Sequence, residues 1–283
     1  MTTKHLFSLG VLPALMLLWT TNAASRRVGS PPAAHPRLAV APGRKLTPTQ
    51  FRQLLTQTNL GRLWQSSPHI THDEVMTGCF GYECQCIEIV FSSVRPVAGQ
   101  PGRYVMEGKY MCYGKVTPFA GTANFTEIRR LANDEVGDWY GEPTKPVYGA
   151  AGRFALRPTH EVGIPGSMTG KIALSFRYND NGRPELAQSD NPTTRQRQLL
   201  FEGEWRPSDQ PGAKSTHVLL MTGMEAPSLI LGDFLLGSRI GRSFVNSKYH
   251  ALGWRDRMYR NDEWWNYGNM LPASPGNMNL DWE

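Results

Sequence analysis

Four thiols, at Cys79, Cys84, Cys86 and Cys112, can do one of two things: hold a metal or form disulfides. Cys84-x-Cys86 could supply two ligands of a four-thiolate site, whereas an oxidising compartment favours bonds instead. A Cys84–Cys86 bond is disfavoured, because side chains at i and i+2 of a strand point the same way without converging. The expectation is two disulfides, with Cys79 joined to one of that pair and Cys112 to the other. The other local cluster of metal-capable groups is His69-Ile70-Thr71-His72-Asp73-Glu74. His69 and His72 are weak metal candidates, because they lie beside Pro68 in a loop-like context and lack a His-Glu-x-x-His pattern. No metal or cofactor is predicted, and His217 and His250 fit structural roles.

Glu107 and Glu202 fall in similar surroundings, Met106-Glu107-Gly108 and Phe201-Glu202-Gly203, which raises the question of an acid/base pair. Alternation answers it. Met106, Gly108 and Tyr110 share one face, as do Phe201, Gly203 and Trp205, so both carboxylates are expected to face solvent. The sequence contains no nucleophile elbow, phosphate-cradling loop or dinucleotide fingerprint. Asn124-Phe125-Thr126 matches a glycan acceptor.

The most unusual composition is in the aromatic segment 250–283. Trp254, Trp264, Trp265 and Trp282 are half of the eight tryptophans, joined by Tyr259 and Tyr267 and interleaved with acids, amides and arginines. Indole faces beside polar groups suit sugar rings, so Trp254, Tyr259, Trp264, Trp265 and Tyr267 are candidate ligand-binding residues for a glycan or an apolar small molecule. The competing expectation is that the segment wraps back and buries its rings in the core. In an extended stretch Trp264 and Trp265 point to opposite sides, predicting one ring buried and the other half-exposed, with Asp262 and Glu263 solvated.

The elements that must position these groups are mostly strands. Lys4 followed by the apolar run Leu6–Trp19 and the small-residue site Thr21-Asn22-Ala23 predicts a signal peptide over 1–23 and a secreted or periplasmic protein. The run of 14 residues is short of the roughly 20 that span a bilayer. Residues 24–45, rich in Pro, Ala and Arg, predict a disordered basic tether able to touch acidic surfaces. Lys4, Arg26, Arg27, Arg37, Arg44 and Lys45 lie where there is no acid; without those six of 30 bases, 24 remain against 24 acids, so the formal charge of +6 belongs to the leader and tether. The neutral remainder carries no nucleic-acid footprint.

Residues 46–283 predict a single mostly β domain. Thr47, Pro48 and Gln50 form a capping box for a helix with Phe51, Leu54, Leu55 and Thr58 on one face and Gly61 as its stop. Beyond it, alternation dominates. Ile172, Leu174, Phe176 and Tyr178 oppose Lys171, Ala173, Ser175 and Arg177 before an Asn179–Gly182 turn, and Tyr104, Met106, Tyr110 and Cys112 oppose Val105, Glu107, Lys109 and Met111. Arg153–Leu156 and Ser228–Leu236 add connecting or edge strands. Met76-Thr77-Gly78 and Met168-Thr169-Gly170 precede the two Glu-Gly motifs at similar distances, suggesting half-repeats over 75–131 and 167–223. The expected fold is all-β, an antiparallel barrel or sandwich with one short N-terminal helix. Irregular strand spacing and the polar C-terminal residues argue against a membrane barrel. The expected function is an exported non-enzymatic protein that binds a ligand or supports the envelope. A secreted hydrolase of extracellular polymer and an envelope interaction module are the alternatives.

Overall fold

The computed structural model describes residues 42–70, 74–132, 135–136, 145–194, 198–208, 212–222, 234–239, 242–254 and 264–265, with backbone alone for 235–239 and 242–244. The leader and most of the tether thus lie outside the described residues. The tether's last residues already belong to the fold: Gly43 N–H donates to Arg130 O, Arg130 N–H donates to Arg44 O, and Lys45 Nζ meets Glu127 at 2.6 Å. Pairing to the end of a long strand satisfies this backbone, so order begins earlier than composition suggests.

Helix α1 spans Pro48–Gln57 with the complete capping box of Thr47 and Gln50 and with Leu54 and Leu55 buried. It ends before Gly61, which sits instead in a 3-10 turn over Leu60–Leu63. A Cβ on Gly61 would lie 2.7 Å from Val94 Cγ1, so close packing is what requires glycine there. Strands follow: β1 (Met76–Phe80), β2 (Gln85–Pro96), β3 (Arg103–Cys112), β4 (Lys115–Arg130), β5 (Val147–Pro158), β6 (Gly166–Tyr178), β7 (Pro184–Leu186), β8 (Leu199–Pro207), β9 (Thr216–Met221), β10 (Leu235–Arg239) and β11 (Arg242–Val245). Successive antiparallel pairing runs β1 to β6, then β8 and β9. β9 pairs back onto β1, from Thr77↔Met221 to Phe80↔Val218, and β5 onto β6, so eight strands close an up-and-down barrel. β7 extends the end of β6 outside the ring, and β10 with β11 makes a separate hairpin. Arg153–Leu156 is thus part of a full barrel strand.

The predicted alternation places the core. Tyr104, Met106, Tyr110 and Cys112 of β3 and Ile172, Leu174 and Phe176 of β6 are buried in one cluster. Phe91 of β2 stacks on Phe201 of β8 at 5.3 Å and meets Phe119 of β4 edge-on at 5.6 Å, while Phe154 of β5 meets Phe201 at 5.1 Å. Rings from four walls thus meet across the axis, as an eight-stranded barrel is just wide enough to be filled by side chains. One end is plugged by the α1 region. Leu54, Leu55, Leu60 and Trp64 join the core, Trp64 packs 5.6 Å from Tyr104, and Thr58 Oγ1 and Tyr178 Oη share a 2.6 Å hydrogen bond. Burial pushes the Tyr104 phenol up to about 12 although its oxygen accepts from Leu60 N–H.

The half-repeat motifs do not occupy equivalent places. β1 and β3 are separated by β2, whereas β6 and β8 pair directly with Gly170 opposite Gly203. Their glycines share a local cause instead. A Cβ on Gly78 would meet Leu219 O at 1.7 Å, on Gly108 Val90 O at 2.1 Å, and on Gly170 or Gly203 the facing carbonyl at 2.2 Å. Glycine recurs where a tightly coiled strand brings the neighbouring backbone close.

Candidate functional site

The end of the barrel opposite the α1 plug is formed by the β1–β2 and β3–β4 hairpins and the base of β8 and β9. Its two tight connections carry aromatic side chains outward. Tyr113-Gly114 is a two-residue turn with φ of 52° and 67°, joining Cys112 to Lys115. Both central residues at positive φ match the twist of the flanking strands. In the other hairpin the Cys79–Cys84 disulfide, with Cα atoms 4.3 Å apart, staples the loop that holds Tyr82. Tyr82 is 90 % exposed and Tyr113 59 %.

Behind these rings lie two separate groups, one packed on the barrel interior and one on the outer wall. Tyr113 meets Phe80 edge-on at 6.0 Å, Phe80 meets Trp205 at 5.3 Å, and Tyr82 stacks on His217 at 6.5 Å. Polar partners lie beside them: His217 Nε2 is 3.5 Å from Glu202 Oε1, and Arg206 Nη2 is 3.2 Å from Glu204 Oε2. The hydrogen bond from Arg206 holds the Glu204 carboxyl below its usual value. Partial burial holds the Tyr113 phenol above its usual value, with Cys112 and Glu83 adding to the rise. Open aromatic faces next to carboxylates and a guanidinium can stack on the C–H faces of a sugar while hydroxyls find hydrogen-bond partners.

Of the aromatic residues singled out from the C-terminal segment, Trp254, Trp264 and Trp265 are not on a surface platform. Trp254 is buried against Phe234, Tyr249 and the disulfide, and its Nε1–H donates to Cys84 O at 2.7 Å. Trp264 and Trp265, 5 % and 6 % exposed, are both buried. They pack edge to face at 5.8 Å in a group with Val75, Val90, Met111 and Val116 on the outside of β2 to β4. Trp264 Nε1–H donates to Oε2 of the buried Glu88 at 2.8 Å. The expectation of one half-exposed ring fails because the pair lies in a turn rather than an extended stretch, so both indoles swing to one side. Nor do they plug the barrel, since its interior is already full. Tyr259, Asp262, Glu263 and Tyr267 lie outside the described residues.

The cysteines also need a correction. Cys79 is bonded to Cys84, but the expected second bond to Cys112 is not made; Cys86 and Cys112 stay thiols, both buried. Cys112 faces the barrel interior opposite Ile87, while Cys86 belongs to the outer cluster under Trp254, so the two project from opposite faces. Burial, with Cys86 adding, pushes the Cys112 thiol up to about 12. His69 is exposed and His72 lies outside the described residues; among the described residues no three His, Cys, Asp or Glu side chains gather as a metal site. Glu107 pairs with Arg95 at 2.9 Å and Glu202 lies by His217, both facing outward from walls four strands apart around the ring, too far to act on one bond. Tyr82 and Tyr113 were not anticipated. The signal was present in Gly81-Tyr82-Glu83 and Cys112-Tyr113-Gly114, where an aromatic stands in a glycine turn that leaves it no interior to enter.

These features define a filled, up-and-down antiparallel barrel whose inner wall is apolar and whose outer wall carries both charged side chains and apolar patches. Among the described residues no helix is long and apolar enough to cross a membrane. Comparison with protein-family models, curated proteins and solved structures finds no match to this chain.

Proposed function

We propose that this chain is an exported, non-enzymatic binding protein that takes a glycan at the Tyr82–Tyr113 rim. The observation that carries the proposal is the outward presentation of two tyrosines on short, locked turns, with Tyr82 stacked on His217 beside Glu202 and Tyr113 packed on Phe80. An exposed ring held in a fixed place loses little entropy on binding, which favours affinity. The disulfide is compatible with an extracellular setting. An apolar ligand in the barrel interior is the weaker reading, because aromatic rings already occupy the axis. The test is affinity electrophoresis and calorimetry against a panel of soluble polysaccharides. Tyr82→Ala and Tyr113→Ala should abolish retention with unchanged melting temperature, since exposed rings contribute little to folding. Retention that survives both substitutions, or none across the panel with the wild-type chain, refutes the proposal. A partner protein captured through the same tyrosines would favour the interaction-module reading.

A further inference from the structure

A second, chemically different site lies at the opposite end of the barrel, in a surface cavity of about 450 Å³ between the segment after α1 and the last residues of β2. Its walls are built locally. Asn59 Oδ1 accepts from Gly61 N–H at 3.0 Å, which caps the 3-10 turn and carries Arg62 on it. Gln65 Oε1 accepts from Val94 N–H at 3.2 Å, cross-linking the segment to β2 and leaving the amide nitrogen of Gln65 as a donor. Ser66 N–H donates to Phe91 O at 2.9 Å, drawing the serine onto the barrel wall. Beyond the bulge between Val90 and Ser93, Arg95 comes to the cavity edge.

Three features set this cavity apart from an ordinary crease. Two guanidinium groups line it, while the carboxylate nearest its wall, Glu74, is engaged by the N–H and hydroxyl of the lining Ser67 at 3.0 and 2.9 Å. Arg95 is compensated by Glu107 at 2.9 Å, but Arg62 takes part in no ion pair among the described residues. Ser66 lines the cavity at 6 % exposure, and its buried hydroxyl has no hydrogen-bond partner. An orphan buried hydroxyl is costly, and a ligand oxygen reached by a χ1 rotation would satisfy it. Trp64, Trp205 and Thr222 also keep a buried polar atom of this kind, but of these groups Ser66 is the one that lines the cavity.

We infer that this cavity is a binding site for a small oxyanion-bearing ligand, a carboxylate or phosphate on a body the size of one sugar ring. Arg62 supplies the unpaired charge, Arg95 a second guanidinium shared with Glu107, and Gln65 and Asn59 the amide contacts to hydroxyls. Arginine recognises carboxylate and phosphate through paired N–H donors, which a bare cationic patch of lysines does not reproduce. The volume falls within the range of small-molecule sites, whereas a lone ion would leave most of it to water. The site is independent of the tyrosine rim and holds or fails separately from it.

Calorimetric titration of the full chain with glucuronate, glucose 6-phosphate and neutral glucose tests the inference. One of the two acids should bind, more weakly as salt is raised, and glucose should not; which acid binds identifies the anion. Arg62→Gln should weaken binding at least about tenfold. Glu107→Gln should strengthen it by releasing Arg95. Ser66→Ala separates a ligand contact from a packing defect: affinity should fall while the melting temperature holds or rises, because an unsatisfied hydroxyl has been removed. Equal binding of glucose and the acids, no binding of either acid, or an Arg62→Gln variant that binds like the parent would overturn the assignment.

Discussion

Truncating Trp264 should unfold this protein far more readily than its position near the end of the chain suggests. The ring is 5 % exposed and sits against Val90, Met111 and Val116 on the outer face of the barrel, edge-on to Trp265. Trp264→Ala removes a large buried aromatic, which typically costs about 3–5 kcal/mol. It also takes the indole N–H away from Glu88, a carboxylate only 3 % exposed. Trp264→Phe separates the two contributions: most of the apolar contact stays and the hydrogen bond to the buried Glu88 carboxyl goes, a loss of about 1–3 kcal/mol. In a domain of this size each kcal/mol shifts the melting temperature by about 2–4 °C, so alanine should lower it by about 6–20 °C and phenylalanine by about 2–12 °C. Trp265→Ala should cost about as much as Trp264→Ala, and the double variant less than their sum, because the rings share one pocket. Urea unfolding followed by far-ultraviolet circular dichroism is the suitable assay, since tryptophan fluorescence is altered by the substitutions themselves. An alanine variant with an unchanged midpoint would refute the packing described for this segment. A phenylalanine variant as stable as the parent would show that the Glu88 contact adds nothing.

Three further outcomes follow from the same geometry. Gly78→Ala should disrupt barrel closure, because its Cβ would overlap Leu219 O at 1.7 Å on the β1–β9 seam; a soluble variant with parental melting temperature would contradict that seam. Thiol titration of unreduced protein should find two reactive groups after denaturation, Cys86 and Cys112, and close to none before it; four would remove the disulfide and zero would restore a second bond. Glu135 is held below its ordinary value of 4.5, mainly by hydrogen bonds from Arg129 at 2.6 and 2.8 Å. Its folded-state pKa being depressed, the stability it contributes is full above about pH 4.5 and is lost as pH falls through the lower folded value. Glu135→Gln should therefore be less stable than the parent at pH 7 and should flatten the acid limb of the stability curve; an unchanged limb would show that the pair is energetically silent.

Local rules were sufficient for the start of α1 and for the faces of β3 and β6. The Thr47–Gln50 capping box defined where α1 starts, since cap geometry depends only on neighbouring residues. Period-two alternation sorted the faces of β3 and β6, because a strand's side-chain direction is set by the backbone pleat. The same alternation sent Glu107 and Glu202 outward. What lay beyond local rules was every relation between distant segments. Barrel and sandwich have the same strands and differ only in whether β9 finds β1, a contact made across more than half the chain. Cys86 and Cys112 are close in the hairpin, yet the phase of each strand puts one thiol outside and the other inside. The tryptophans advertised a binding platform by composition, but a ring's burial depends on what packs over it, and here the barrel wall does. The exposed tyrosines and the Ser66–Arg62 cavity came only from tertiary structure. Residue type says what a side chain can bind, and only the packing of the rest of the chain decides whether it is left open to do so.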